Sequence, residues 1–293
     1  MPALLSLWKG GETPPLQPLP FHPSPAKVPV SEPHLLVERD GAVVIVTMNR
    51  PEARNAWSLE MLARMAETWR MIDEDPEVRV AVLTGAGGTF CAGADLKRMH
   101  GDQSGDPWQA RFREDPELHW KAMLRSHRLA KPLIAAVEGH ALGGGTEILQ
   151  ATDIRVAGRS ARFGLTEARW GLFPLGGSTV RLARQVPYTR AMEILLLGEI
   201  FDATAAEEIG LIGRVVADGE ALGEARRLAA IVAGNGPLAV QAIKRSVQMS
   251  AGLSEAEALA QELEIGWPVF GSEDAKEGPR AFAEKRPAHF RGR

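Results

Sequence analysis

The apolar positions change period along this chain, and the changes mark its elements. Residues 35–38 and 42–47 are rich in β-formers and flank Asp40-Gly41, which predicts two strands joined by a hairpin turn. Leu59, Leu62, Met65, Trp69 and Ile72 then recur at spacings of three and four, predicting an amphipathic helix with Ser58 as its N-cap. Residues 80–83 form a short continuous apolar run, suited to a strand buried on both faces. A charged helical stretch over 116–130 follows, then a second apolar strand over 133–137. A glycine cluster at 143–145 leads into a helical segment at 147–151, and 154–156 supplies a third strand. Strands alternating with helices predict an α/β domain. From about Leu182 the pattern turns to helices with few strands, over 190–197, 203–209, 220–233, 238–248, 255–265 and 275–284.

Ahead of all this, nine of the twenty prolines fall within the first 33 residues. Such a stretch makes few ladder hydrogen bonds and buries little, so residues 1–33 read as an extended tail. The chain has 293 residues and is 45% hydrophobic, enough for a large core. Its net charge of −3 gives no bulk attraction to nucleic acid or to an anionic membrane. The single cysteine, Cys91, excludes an internal disulfide framework and fits a reducing compartment. No run of about 18 or more apolar residues is present to span a bilayer. Arginine is absent before Arg39, against the pattern of a mitochondrial presequence, and the expectation is a cytoplasmic enzyme.

Three clusters carry candidate chemistry. The first runs from Thr84 to Asp95 and holds Gly85, Gly87, Gly88 and Gly93 in a turn after a strand. Glycines let backbone approach a ligand closely and let amides point outward, although a plain surface turn explains the glycines alone equally well. The dinucleotide-binding spacing G-x-G-x-x-G is not met. Nor is the G-x-S-x-G nucleophile elbow, since the Gly176–Val180 stretch fails at its last position. No pair of His, Cys or carboxylate residues has metal-ligand spacing, and no metal is expected. Cys91 has no basic helper beside it and reads as a packed thiol.

The second cluster is Glu138-Gly-His-Ala-Leu-Gly-Gly-Gly-Thr-Glu147. Three glycines between a buried strand and a helix leave unpaired N–H groups at the positive end of the helix, a site for developing negative charge. Glu147 follows within the first turn, where it could equally serve only the helix dipole. The third cluster contains Glu167, with Phe163, Leu165, Trp170 and Phe173 close by in sequence. A carboxyl group losing hydration there would have a raised pKa, suited to proton transfer near neutrality.

Taken in order, these segments resemble the enoyl-CoA hydratase/isomerase (crotonase) superfamily. Asn49-Arg-Pro-Glu-Ala-Arg-Asn-Ala56 is similar to its first signature and Phe90-Cys-Ala-Gly-Ala-Asp-Leu96 to its second. Residues 141–147 with 163–167 resemble the third, and residues 272–278 and 281–287 match its usual ending. The similarity covers His34 to the C-terminus and leaves out the proline-rich tail. The resemblance implies a spiral of ββα units over 34–235, then a C-terminal helical trimerisation region over 236–293, assembled as a homotrimer or a dimer of trimers.

It also implies site residues. Ala94 N–H and Gly144 N–H would form an oxyanion hole, and Glu147 and Glu167 would act as the two acids of the hydratase members. Both positions are glutamate, which tilts the expectation from isomerisation toward hydration. Ala92, Asp95, Leu96 and Gly143 would contact coenzyme A, with Ala53 and Arg54 approaching the nucleotide and pantetheine. Lys285 would reach a neighbour's CoA phosphates. Trp170 and Phe173 would shape the acyl pocket, and Thr146 stands where cysteine or alanine is common. No cofactor is expected, since coenzyme A is part of the substrate. The rivals are a double-bond isomerase using Glu167 alone, a thioester hydrolase, and a non-catalytic or RNA-binding relative. Balanced charge and the lack of a lysine-rich helix oppose the RNA-binding reading.

Overall fold

A computed structural model describes residues 32–96 and 105–293; most of the expected proline-rich tail lies outside the described residues. The hairpin forms as its turn signal requires. Strand β1 (Leu35–Asp40) pairs antiparallel with β2 (Val43–Met48), Asp40 opposite Val43. Helix α1 (Leu59–Glu74) follows, and the Ser58 hydroxyl accepts the Met61 amide as its N-cap. Strands β3 (Val80–Gly85), β4 (Leu133–Val137), β6 (Ile154–Gly158) and β9 (Arg214–Val216) continue the sheet in parallel, in the order β1-β2-β3-β4-β6-β9.

Because side chains alternate across a strand, the continuous apolar runs feed two cores at once. Val80, Val82, Ile134, Ala136 and Val156 pack beneath Ala221, Ala225, Leu228 and Ala229 of α8 (Ala221–Gly234). Ala81, Leu83, Leu133, Ala135 and Val137 face the opposite way, toward Met61, Leu62, Met65, Trp69 and Ile72 of α1. A second, three-stranded sheet lies on that side: β5 (His140–Leu142), β7 (Arg162–Gly164) and β8 (Phe201–Asp202). The residues Pro33–Arg293 form one compact unit.

Helices α4 (Gly144–Leu149), α5 (Ser178–Gln185), α6 (Tyr188–Leu197) and α7 (Ala203–Glu208) surround the small sheet in sequence, and α9 (Pro237–Ser250), α10 (Glu255–Phe270) and α11 (Glu273–Ala283) close the chain. The α/β alternation and the helical C-terminal region are therefore as expected. The long helix over 116–130 is not. That region holds only the five-residue α3 (Leu118–Ala122), preceded by the equally unforeseen α2 (Gln109–Glu114), and Leu124 adopts a left-handed φ of 53°. Tertiary contacts override the local pattern there. Asp73, near the end of α1, pairs with His127 and accepts the Ala130 and Lys131 amides, drawing the segment out of helix. The short strands β5, β7, β8 and β9 and helix α5 are likewise unforeseen, being too brief to show a period.

Candidate active site

Two chain segments meet beneath the small sheet and carry the backbone of the site. One leaves β3 through the glycine-rich turn. A Cβ on Gly85 would lie 2.1 Å from the Thr89 carbonyl oxygen, so only glycine lets this turn fold onto itself. Asn55, fully buried, fixes it: its Nδ2 donates to the carbonyls of Ala86 (2.9 Å) and Thr89 (2.7 Å), and its Oδ1 accepts the Arg50 amide. The stretch after the turn is gripped on two sides, with Cys91 bridged to Ala141 and Ala94 bridged to Trp57. Cys91 is a buried, packed thiol; burial pushes it up to about 12, which leaves it protonated.

The other segment is β5, the glycine triplet and α4. Gly143 has φ 51° and ψ −124°, a conformation open only to glycine, and its amide donates to Gly164. Thr146 Oγ1 donates to the carbonyls of Ala141 and Gly164, locking the helix start to β7. A Cβ on Gly93 would sit 2.9 Å from the Gly144 nitrogen, so the two segments touch where the Ala94 and Gly144 amides emerge. Neither of these N–H groups donates to a protein acceptor among the described residues.

Both glutamates line the same cavity of about 660 Å³, together with Ala94 and Gly144. Glu147 projects from the first turn of α4 and is only 4% exposed; its Oε1 accepts the Ser178 amide at 3.3 Å. Burial raises its pKa, while backbone donors from Gly176 and Ser178 and the charge of Arg181 oppose the rise. Glu167 opens a short 3-10 turn, Glu167–Trp170, and lies against Gly143. Its Oε2 is buried without a protein partner. Burial pushes this carboxyl up to about 7, and the negative charge of Glu147 adds to the push.

Ala92, Asp95, Leu96, Gly143, Trp170 and Phe173 also line the cavity. Trp170 and Phe173 are 66% and 62% exposed, so they form its open wall rather than burying Glu167. Asp95 pairs with Arg50 at 3.4 Å. Ala53 and Arg54 lie outside the lining, although the Arg54 carbonyl accepts the Ala92 amide and so borders the cavity rim. Lys285 is exposed, just beyond α11, and does not line it either. The structure adds residues from elements remote in sequence: Trp57, Leu59 and Leu62 at the start of α1, and His119, Trp120 and Met123 around α3. Burial lowers the pKa of His119, which favours a neutral imidazole. Leu59 and Leu62 carry a helical period that marks them only as apolar. Nothing local in sequence marks Trp57 or Met123. Among the described residues, no group of three or more His, Cys, Asp or Glu side chains is placed to hold a metal ion, and no helix is long and apolar enough to cross a membrane.

Comparison with known proteins gives a consistent result. The family profile described as "Enoyl-CoA hydratase/isomerase" matches residues 38–293. The chain is 55% identical over 263 residues to the enoyl-CoA hydratase EchA19 of Mycobacterium tuberculosis, covering 90% of this chain and 98% of that one. It is 37% identical to the 2,3-dehydroadipyl-CoA hydratase of Escherichia coli, covering 88% and 99%. Among solved structures, an enoyl-CoA hydratase from Mycobacterium tuberculosis superposes with a TM-score of 0.80 at 40% identity, covering 89% of this chain and all of the other.

Proposed function

The chain belongs to the enoyl-CoA hydratase/isomerase family, with its crotonase-type α/β fold and C-terminal helical region, and from that premise we propose that it is an enoyl-CoA hydratase adding water syn to a 2-enoyl-CoA thioester. The product is a 3-hydroxyacyl-CoA. The observation that carries this reading is the pairing of two acidic side chains with two acceptor-free amides on one cavity wall.

The chemistry divides among four groups. The Ala94 and Gly144 amides receive the thioester oxygen and stabilise the enolate as charge builds on it; one such donor is typically worth about 10²–10³ in rate. Glu147, ionised, orients a water molecule and takes its proton as the oxygen bonds to Cβ and the π pair moves toward the thioester. Glu167, protonated, then delivers a proton to Cα from the same side. Each proton transfer is typically worth about 10²–10⁴. The two environments differ in a way that supports this division. Burial raises both carboxyls, but at Glu147 donors from Gly176 and Ser178 and the charge of Arg181 oppose the rise. Glu167 has only its own backbone amide against it, one buried oxygen without a partner, and the charge of Glu147 adding to the push to about 7.

Coenzyme A lies along Ala92, Asp95, Leu96 and Gly143 in this reading, with Ala53 and Arg54 at the pantetheine and nucleotide and a neighbouring subunit's Lys285 at the phosphates. Trp170 and Phe173 bound the acyl chain. Coenzyme A arrives with the substrate and no further cofactor takes part. The working form is a homotrimer or a dimer of trimers in the cytoplasm, serving fatty acid breakdown by β-oxidation. Presenting the protein with 2-enoyl-CoA esters of increasing chain length tests the reaction. Loss of the conjugated thioester absorbance with formation of 3-hydroxyacyl-CoA is the expected result. Turnover only of 3-enoyl-CoA esters assigns an isomerase, and release of free thiol a hydrolase.

A further inference from the structure

Arg181 sits one turn into α5 and is not explained by packing. Its Nη2 donates to the Leu124 carbonyl at 2.5 Å, while its Nη1 is buried with no partner. Leu124 holds the left-handed turn that ends the α3 segment, and Met123 before it walls the cavity. The guanidinium folds back over Gly177, where a Cβ would lie 3.5 Å from Arg181 Cδ and Nε. On the adjacent residue, a Cβ on Gly176 would lie 2.8 Å from Glu147 Cδ and Oε2. The Gly176-Gly177 backbone is thus bordered by the Glu147 carboxyl at one residue and the Arg181 guanidinium at the next, and Ser178 closes the arrangement by donating its amide to Glu147.

We propose that Arg181 is a positioning residue for the hydration step: braced on Leu124, it keeps Glu147 ionised as the base and holds the Gly176–Ser178 backbone that binds it. This rests on the hydratase reading above. A half-buried guanidinium with one buried, unused donor is costly unless its charge serves a neighbour. The charged groups facing the pair are Glu167 beside Glu147, and Arg125 and Arg128 beside Arg181. Arg125 lies over the Trp120 ring and Arg128 donates to the Gln248 carbonyl. Glu147 is therefore the anion that stabilises Arg181 against two like charges, and the same attraction holds the proton off Glu147.

Removing the positive charge raises the Glu147 pKa, so the base becomes ionised only at higher pH. Arg181→Gln drops the charge and keeps an amide that ends two atoms short of Leu124; Arg181→Lys keeps the charge. With full-length protein and crotonyl-CoA, the acid limb of the kcat profile moves up by about one pH unit in Arg181→Gln, about a tenfold loss at any pH on that limb. In Arg181→Lys the limb stays at its wild-type position. Affinity for the saturated butyryl-CoA is unchanged in both. An unmoved acid limb in Arg181→Gln, or an equal shift in both variants, overturns the proposal and leaves Arg181 a structural brace. Failure of the hydratase reading is distinct, because the wild-type protein itself would then not hydrate crotonyl-CoA.

Discussion

Glu147 and Glu167 are the same side chain in two environments, and the difference decides what each can do. Glu167, pushed up to about 7, is largely protonated below neutrality. Its loss as a proton donor predicts that kcat falls about tenfold per unit once the pH passes this value, measurable in a pH–rate profile with crotonyl-CoA. The same shift makes a stability prediction. The folded pKa lies above the ordinary carboxyl value, so folding is penalised as pH rises through about 7 and Glu167 must ionise while buried. Glu167→Gln therefore raises the melting temperature at about pH 8 and leaves it nearly unchanged at about pH 5. Gly144 makes a steric prediction, since an added Cβ would lie 2.4 Å from Trp57 Cζ3. Gly144→Ala must displace the ring or the amide, and kcat/KM falls about 10²–10³ as one oxyanion donor is lost. In the sequence, the glycine clusters marked the stretches holding Ala94, Gly144 and Glu147, the apolar and aromatic neighbours drew attention to Glu167, and the family resemblance supplied the roles expected of all four. Trp57, His119 and Met123 were not, since only the fold brings α1 and α3 to the cavity.

At the scale of elements, the site is a junction of two tight segments, each legible through its glycines and each secured by a polar side chain that sequence does not advertise. Thr146 ties the start of α4 to β5 and β7. Asn55 ties the turn after β3 to the approach of α1 while itself in a left-handed conformation of φ 54°. Asn55→Ala leaves two carbonyls and one amide without partners, so it destabilises the fold by about 2–4 kcal/mol and loosens the segment bearing Ala94. Chemical denaturation gives the first quantity, and the accompanying fall in kcat the second. Periodicity served the long elements well, as with α1 and its Ser58 cap. It failed over 116–130, where Asp73, more than forty residues earlier in the chain, takes the amides a helix would have used. The three-residue strands β5 and β7 had no period to read.

Among the described residues, the C-terminal helices expose an extended apolar surface. Leu259, Leu263, Trp267 and Phe270 of α10 recur at spacings of four, four and three, and each is more than half exposed; Ile243 and Val247 do the same on α9. Such a stripe in water is costly unless covered. If further copies of the chain cover it in the proposed trimer, light scattering returns the mass of three or six chains, and Trp267→Asp shifts it toward one. Everything turns on two carboxyls working as a pair within one subunit's cavity. Crotonyl-CoA hydration by Glu147→Gln and Glu167→Gln, with CoA-ester affinity measured alongside, decides whether they do. Each variant should lose about 10²–10⁴ in kcat while still binding the ester; near-normal turnover in either one would rule the pairing out.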